Sequence, residues 1–93
     1  MEVASTLNNL ANAYGALGDA RQAKALLEKA LAIFECHYGK EHVEVARTLV
    51  NLSNAYGDLG DARQQKALLE KALVILERHY GKEHVQVAWT LGS

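Results

Sequence analysis

The 93-residue sequence contains no proline, a single cysteine and no long apolar run. One cysteine, Cys36, cannot form an internal disulfide bond, so we expect a reducing compartment and a cytoplasmic protein. No stretch approaches the ~20 apolar residues that cross a bilayer, and the first six residues do not resemble a secretory signal. Ten basic and eleven acidic residues nearly cancel, so charge gives no reason to expect nucleic acid or membrane as a partner.

An internal repeat is the dominant feature of what is present. Residues 1–42 and 43–84 differ at only nine positions when they are aligned, so 33 positions match. A period of this length is typical of stacked supersecondary units. Since the chain has seven glycines and no proline, we expect long helices that are ended by glycine alone.

Each unit is predicted to form two helices. The first carries apolar residues at spacings of three and four, which places them on one helix face: Val3, Leu7, Leu10 and Tyr14. Gly18 ends this helix, because glycine readily adopts the left-handed conformation found at helix ends. Asp19 is placed to cap the second helix, with Gln22 three residues on as in a capping box.

The repeat sets the expected organisation of the whole chain. The predicted helices span about 3–16 and 19–38 in unit 1–42, and about 45–58 and 61–80 in unit 43–84. Residues 85–93 would form a partial first helix of a third unit. A single hairpin cannot bury its apolar face alone, so consecutive hairpins should stack.

The order of small and apolar residues in the first unit resembles the tetratricopeptide signature: Leu7, Leu10, Ala11, Tyr14, Gly18, Ala23, Leu27 and Ala30. The period and residues 6–11 and 29–35 look like the kinesin-light-chain variety of this family. One departure is that Val43 and Val85 follow histidines where that variety commonly has proline. The resemblance implies an all-α, right-handed α-solenoid of helix-turn-helix repeats, with two full repeats and a partial third helix.

This resemblance also implies protein–protein recognition, in which the first helices line a concave groove for an extended peptide or a partner helix. Carried over by position, the groove residues are Ser5, Asn8, Asn9, Asn12 and Ala16, then Arg47, Val50, Asn51, Asn54 and Asp58, and finally Trp89. The residues themselves agree, because the three asparagines of the first helix lie away from its apolar face. Asparagine amides donate and accept hydrogen bonds, so they suit pairing with a peptide backbone. Alternatively, they bond their own neighbours or water.

The sequence gives little indication of a metal site or of catalysis. Each unit has two histidines five residues apart, His37 with His42 and His79 with His84, which is fewer than the three or four ligands of a zinc site. Packing at the helix ends explains these copies more simply. We find no phosphate-binding loop and no Ser/His/Asp set that helices would bring together. The sequence therefore predicts no enzyme, no cofactor and no metal.

The open ends of the array suggest a second function. A chain of two repeats and a fraction leaves apolar residues at its ends uncovered, namely Val3, Leu7, Leu10, Trp89 and Leu91. These ends could pair between copies, as in a self-assembling fragment or an engineered repeat protein that oligomerises. Trp89 fits either an aromatic anchor in the groove or packing over the open end. The expected partner is thus a protein or peptide, or a second copy of the chain.

Overall fold

The computed structural model describes residues 2–80, and within this range the chain forms four α-helices. They are α1 (Glu2–Ala16), α2 (Ala20–Tyr38), α3 (Val43–Asp58) and α4 (Ala62–Tyr80). Each helix packs on the next one in the chain, and α1 also touches α3. The predicted all-α stack of helical hairpins is confirmed over the described range. The expected partial helix at 85–93 lies outside it.

The turn between α1 and α2 shows how glycine and aspartate set the helix ends. Gly18 has a φ of 85° and follows the last turn of α1. The Asp19 carboxylate accepts a hydrogen bond from the backbone N–H of Gln22 at 3.2 Å, which caps α2. The N–H of Asp19 itself donates to the Tyr14 carbonyl at 2.8 Å, so this donor is satisfied without the Gln22 side chain.

Helix α3 begins at Val43, two residues earlier than the sequence predicted. His42 is its N-cap, and the ring Nδ1 accepts a hydrogen bond from the Glu44 N–H at 3.0 Å. This bond satisfies one of the free N–H groups at the helix start, which lets the helix extend back to residue 43. Helices α2 and α4 each begin one residue after the predicted position, because residues 19 and 61 lie outside the helices.

The core is built from small and branched side chains, with Leu27 and Phe34 of α2 almost fully buried. On α1 the buried residues are Ala4, Asn8 and Ala11, so the apolar face of this helix is only partly covered. Val3 and Leu10 are 66% and 45% exposed, whereas the matching Val45 and Leu52 of α3 are 1% and 3% exposed. The reason is position in the stack: α3 packs between α2 and α4, while α1 has no described helix on its outer side.

Aromatic rings tie the two repeats together near the start of α3. The rings of Tyr38 and His42 stack with centroids 4.1 Å apart, and His42 meets His79 of α4 edge-on at 6.2 Å. His79 Nε2 also lies 3.0 Å from the Glu41 carbonyl oxygen. Arg78 forms an ion pair with the Glu41 carboxylate. Within the described range, His42 and His79 therefore pack at the repeat junction, whereas His37 is exposed.

Candidate binding groove

Two adjoining depressions lie between α1 and α3. The first has a volume of about 130 Å³ and is called the amide notch; it is lined by Ser5, Asn8, Asn9, Asn12, Glu44, Arg47 and Asn51. The second has a volume of about 180 Å³ and is lined by Ala11, Asn12, Gly15, Ala23, Leu27, Asn51, Asn54, Ala55 and Asp58. Because both include Asn12 and Asn51, they form one surface, the α1–α3 groove.

Helical spacing explains how the sequence builds this groove. The lining residues of α1 and of α3 recur at steps of three or four, so each set lies on one side of its helix. The second depression has a floor of smaller and apolar residues, including Ala23 and Leu27 of α2. Gly15 leaves open space, since a Cβ built there would meet nothing within 4 Å. The groove thus has polar walls above a compact apolar floor.

The polar lining is mostly amide. Five asparagines face the groove, and each can donate and accept hydrogen bonds. Its charged side chains are Glu44, Arg47 and Asp58. Arg47 and Glu44 form an ion pair of 3.7 Å in which the arginine side chain is 63% exposed. An exposed pair of this kind contributes about 0–1 kcal/mol, so a ligand can replace it at low cost.

Asn8 differs from the other asparagines because it is only 7% exposed. Its Nδ2 donates to Thr48 Oγ1 at 3.1 Å, and the Thr48 hydroxyl donates in turn to the Glu44 carbonyl at 2.9 Å. Asn8 Oδ1 is buried and has no hydrogen-bond partner among the residues that the structure describes. A buried acceptor without a donor costs about 1–3 kcal/mol.

Most residues predicted for the groove line it: Ser5, Asn8, Asn9, Asn12, Arg47, Asn51, Asn54 and Asp58. Asn8 does so as a largely buried side chain. Val50 is 2% exposed and lines neither depression, which corrects its expected place in the groove. It occupies the same repeat position as Asn8, and this position points into helix packing. Ala16 lines neither depression, and Trp89 lies outside the described residues.

Glu44 lines the notch but was absent from the residues predicted for the groove. It precedes Arg47 by three residues on α3, so it lies on the same side of the helix. That spacing was the signal that could have found it. Over the described range, no group of three or more His, Cys, Asp or Glu side chains is arranged to hold a metal ion. Nor does any helix within residues 2–80 combine the length and apolar character needed to span a bilayer.

Comparison with known families identifies the type of helical repeat that the chain contains. A tetratricopeptide repeat family model matches residues 2–65, which is more than half of the chain, and a second matches residues 45–86. The chain is a tetratricopeptide repeat protein. Tetratricopeptide repeats are generally modules of protein–protein interaction and typically act as scaffolds without catalysis. No curated protein matches the chain.

Proposed function

We propose that this tetratricopeptide repeat chain binds an extended segment of a partner protein in the α1–α3 groove. The observation that carries the proposal is the row of five asparagines, contributed by two helices to one continuous surface. Their amides can pair with main-chain N–H and C=O groups of a peptide whatever its side chains are. Affinity then comes from the backbone, as it does when a peptide adds to a sheet edge.

The spacing along α3 suits an extended segment. Residues four apart on a helix are separated by ~6 Å along its axis. Alternate residues of a strand are ~6.6 Å apart. The axial distance between Arg47 and Asn51 therefore matches the distance between alternate residues of an extended peptide. This match lets side chains four apart on α3 meet peptide groups that point the same way.

The two ends of the groove differ in charge. Arg47 lines the amide notch, where an acidic ligand group can replace its exposed ion pair with Glu44, and Asp58 lines the second depression. Eleven residues of helix separate them by ~16 Å, which is roughly five residues of extended chain. We therefore expect a preferred segment to carry an acidic and a basic residue about five positions apart.

Selection from a phage-displayed library of random dodecapeptides tests this proposal. Selected peptides should show the expected charge spacing, and their affinity should fall roughly 5- to 10-fold in Asn12→Ala or Asn54→Ala, since one hydrogen bond contributes about 1 kcal/mol. Gln22→Ala is the matched control, because it removes an exposed amide of α2 outside the groove. Peptides that bind the Asn12→Ala/Asn54→Ala double variant as tightly as the parent chain would refute groove binding.

Self-association is a second candidate function, and the exposure of Val3 and Leu10 favours it. Their counterparts Val45 and Leu52 are buried, so the same side chains are suited to helix packing. A second copy that packs on α1 would cover them. The exposed face of α1 thus carries side chains of the same type that helix packing buries in the near-identical second repeat.

Light scattering across a hundredfold range of concentration distinguishes self-association from a monomer. We expect the mass to rise above the 10.2 kDa of one chain, and Leu10→Lys to reduce that rise by placing a charge in the contact. Glu2→Lys serves as the control, since it adds a lysine to the same helix at an already charged residue. A mass that stays at that of one chain over the whole range excludes this candidate.

A further inference from the structure

A larger depression lies between α2 and α4 and shares no lining residue with the α1–α3 groove. We name it the α2–α4 pocket. Residues of α3 and of the loop before α3 complete its wall, and its apolar lining consists of Leu31, Val45, Leu49, Leu68, Val74 and Ile75. The volume of about 390 Å³ falls within the roughly 300–1,000 Å³ that is usual for small-molecule sites.

The apolar part of this pocket is formed by the core itself. Val45 and Leu49 of α3 and Ile75 of α4 are buried, whereas Val74 is 48% exposed although it lines the same depression. Covering exposed apolar surface of this kind is favourable because it removes that surface from water. A ligand with an apolar body is therefore stabilised here.

The charged side chains of the lining are Glu35, Lys40, Glu41, Lys71 and Arg78, so cations outnumber carboxylates three to two. Arg78 pairs with Glu41, but both side chains are 62% exposed. An exposed ion pair contributes little, so the acidic group of a ligand can take the place of Glu41. Within the described part of the chain, neither lysine has an ion-pair partner. The charge of the pocket thus complements an anion.

The second repeat departs from the first where α4 lines this pocket. Val74 stands where the first repeat has Ala32, and Arg78 stands where it has Cys36. One exchange adds apolar surface. The other adds a guanidinium, which can hold a carboxylate through two parallel hydrogen bonds. Both exchanges suit a ligand that combines an apolar body with an acidic group.

The two kinds of lining are arranged along the length of α4. Arg78 lies beside the loop before α3, since it pairs with Glu41 of that loop, and Lys40 belongs to the same loop. From Arg78 back to Leu68 the helix extends over ~15 Å. This length accommodates an extended alkyl chain of eight carbons with its head group at the loop.

We propose that the α2–α4 pocket binds a small amphiphilic carboxylate, which is an alkyl chain with one acidic head group. The chain lies on the apolar floor and the carboxylate pairs with Arg78 and Lys40. This site is separate from the α1–α3 groove and does not rest on peptide binding there.

Three eight-carbon probes with different head groups test the proposal: octanoate, octan-1-ol and octylammonium, each kept below its micelle concentration. We expect octanoate to give saturable NMR shifts of the Val74 methyl groups and to bind at least about fivefold more tightly than the alcohol, because its hydrogen bonds are charge-assisted. Octylammonium should bind least. Val3, which is 66% exposed and outside the pocket, reports adsorption to exposed apolar surface. Equal affinity for the three probes, or equal shifts at Val3 and Val74, would overturn the proposal.

Hexanoate tests the apolar half, since it keeps the carboxylate and has two methylenes fewer. Burial of the chain predicts binding roughly 5- to 15-fold weaker than that of octanoate. Identical affinities would mean that only the carboxylate is held at the surface, and the pocket assignment would be wrong.

Two substitutions of opposite charge effect test the head-group contacts. Arg78→Gln should weaken octanoate about fivefold, since it removes a cation that pairs with the carboxylate. Arg63→Gln, at an exposed arginine of the same helix outside the pocket, is its control. Glu35→Gln should tighten octanoate about twofold because it removes a like charge, and Glu77→Gln at the same position of the second repeat should have no effect. Unchanged affinity in both Arg78→Gln and Glu35→Gln would reject the head-group contacts.

The asparagine variants separate this site from the proposed function. The Asn12→Ala/Asn54→Ala double variant should bind octanoate as the parent chain does, and Arg78→Gln should bind the selected dodecapeptides as the parent chain does. Loss of octanoate binding in the double variant would place the ligand in the α1–α3 groove and overturn this inference. Peptides that ignore the asparagines would reject groove binding while octanoate binding in the pocket still stands.

Discussion

His42 holds two interactions at the junction between the repeats, and its replacement by alanine should measure both. The ring Nδ1 caps α3 through the Glu44 N–H, and the ring face stacks on Tyr38 with an interplanar angle of 14°. Alanine has neither an acceptor nor a ring. We therefore expect His42→Ala to lower the free energy of unfolding while the four helices are retained.

The magnitude follows from the two parts. Loss of a side-chain N-cap costs roughly 0.5–2 kcal/mol. Loss of an aromatic stack costs roughly 0.5–1.5 kcal/mol. Their sum, about 1–3.5 kcal/mol, is a large fraction of the roughly 5–15 kcal/mol that stabilises a typical domain. In a chain of this size each kcal/mol lowers Tm by roughly 4–8 °C.

Urea unfolding followed by circular dichroism at the helical band measures the loss, and a second variant divides it. His42→Asn keeps a strong capping acceptor but has no ring, so it should recover about 1 kcal/mol relative to His42→Ala. His37→Ala, at an exposed histidine of α2, is the matched control and should change stability by less than about 0.5 kcal/mol. If His42→Asn unfolds at the same urea concentration as His42→Ala, the cap contributes nothing; if both match the parent chain, the whole account of the junction is wrong.

Five further substitutions test the fold by the same unfolding assay. Leu27→Ala should lower stability by roughly 2–5 kcal/mol because this side chain is buried, whereas Leu10→Ala, at a 45% exposed leucine, should lower it by less than half as much; equal losses would contradict the burial pattern. Gly15→Ala should raise stability by roughly 0.5–1 kcal/mol, because a Cβ there meets nothing and alanine favours helix. Gly18→Ala should instead lower it by roughly 1–2 kcal/mol, since φ is 85° at this residue, and a neutral result would refute the left-handed helix end. Arg78→Ala should change stability by less than about 1 kcal/mol, because its ion pair is 62% exposed on both sides.

The helical repeat was predictable because its signals are local and occur twice. The glycines that end α1 and α3, and the capping aspartates after them, act within a few residues of chain and recur in the second copy. Apolar spacing of three and four then gives the helices between them. The family matches confirm the tetratricopeptide assignment, and the narrower resemblance to the kinesin-light-chain variety stays a prediction.

The remaining features depend on contacts that spacing alone does not encode. Helix α3 begins early because the His42 ring caps it. Sequence rules for helix starts favour Ser, Thr, Asp and Asn as caps, so they do not point to a histidine. The burial of Asn8 depends on the approach of Thr48 from a helix 40 residues away in sequence. Alignment of the two repeats did carry one usable signal. Asn8 aligns with Val50, and an apolar residue at the same repeat position indicates that the position is packed.

The sequential packing of the helices has a consequence for how the chain folds. Because α1 packs on α2, α2 on α3 and α3 on α4, most native contacts join residues that are near each other along the chain. Loop closure therefore takes little entropy from each step, and proteins with such topology fold in microseconds to milliseconds. The outer helices can also open one at a time, as in a linear array with nearest-neighbour coupling. We expect amide hydrogens of α1 to exchange before those of α3, so the wall of the groove that carries Asn8 and Asn12 is the one that loosens first.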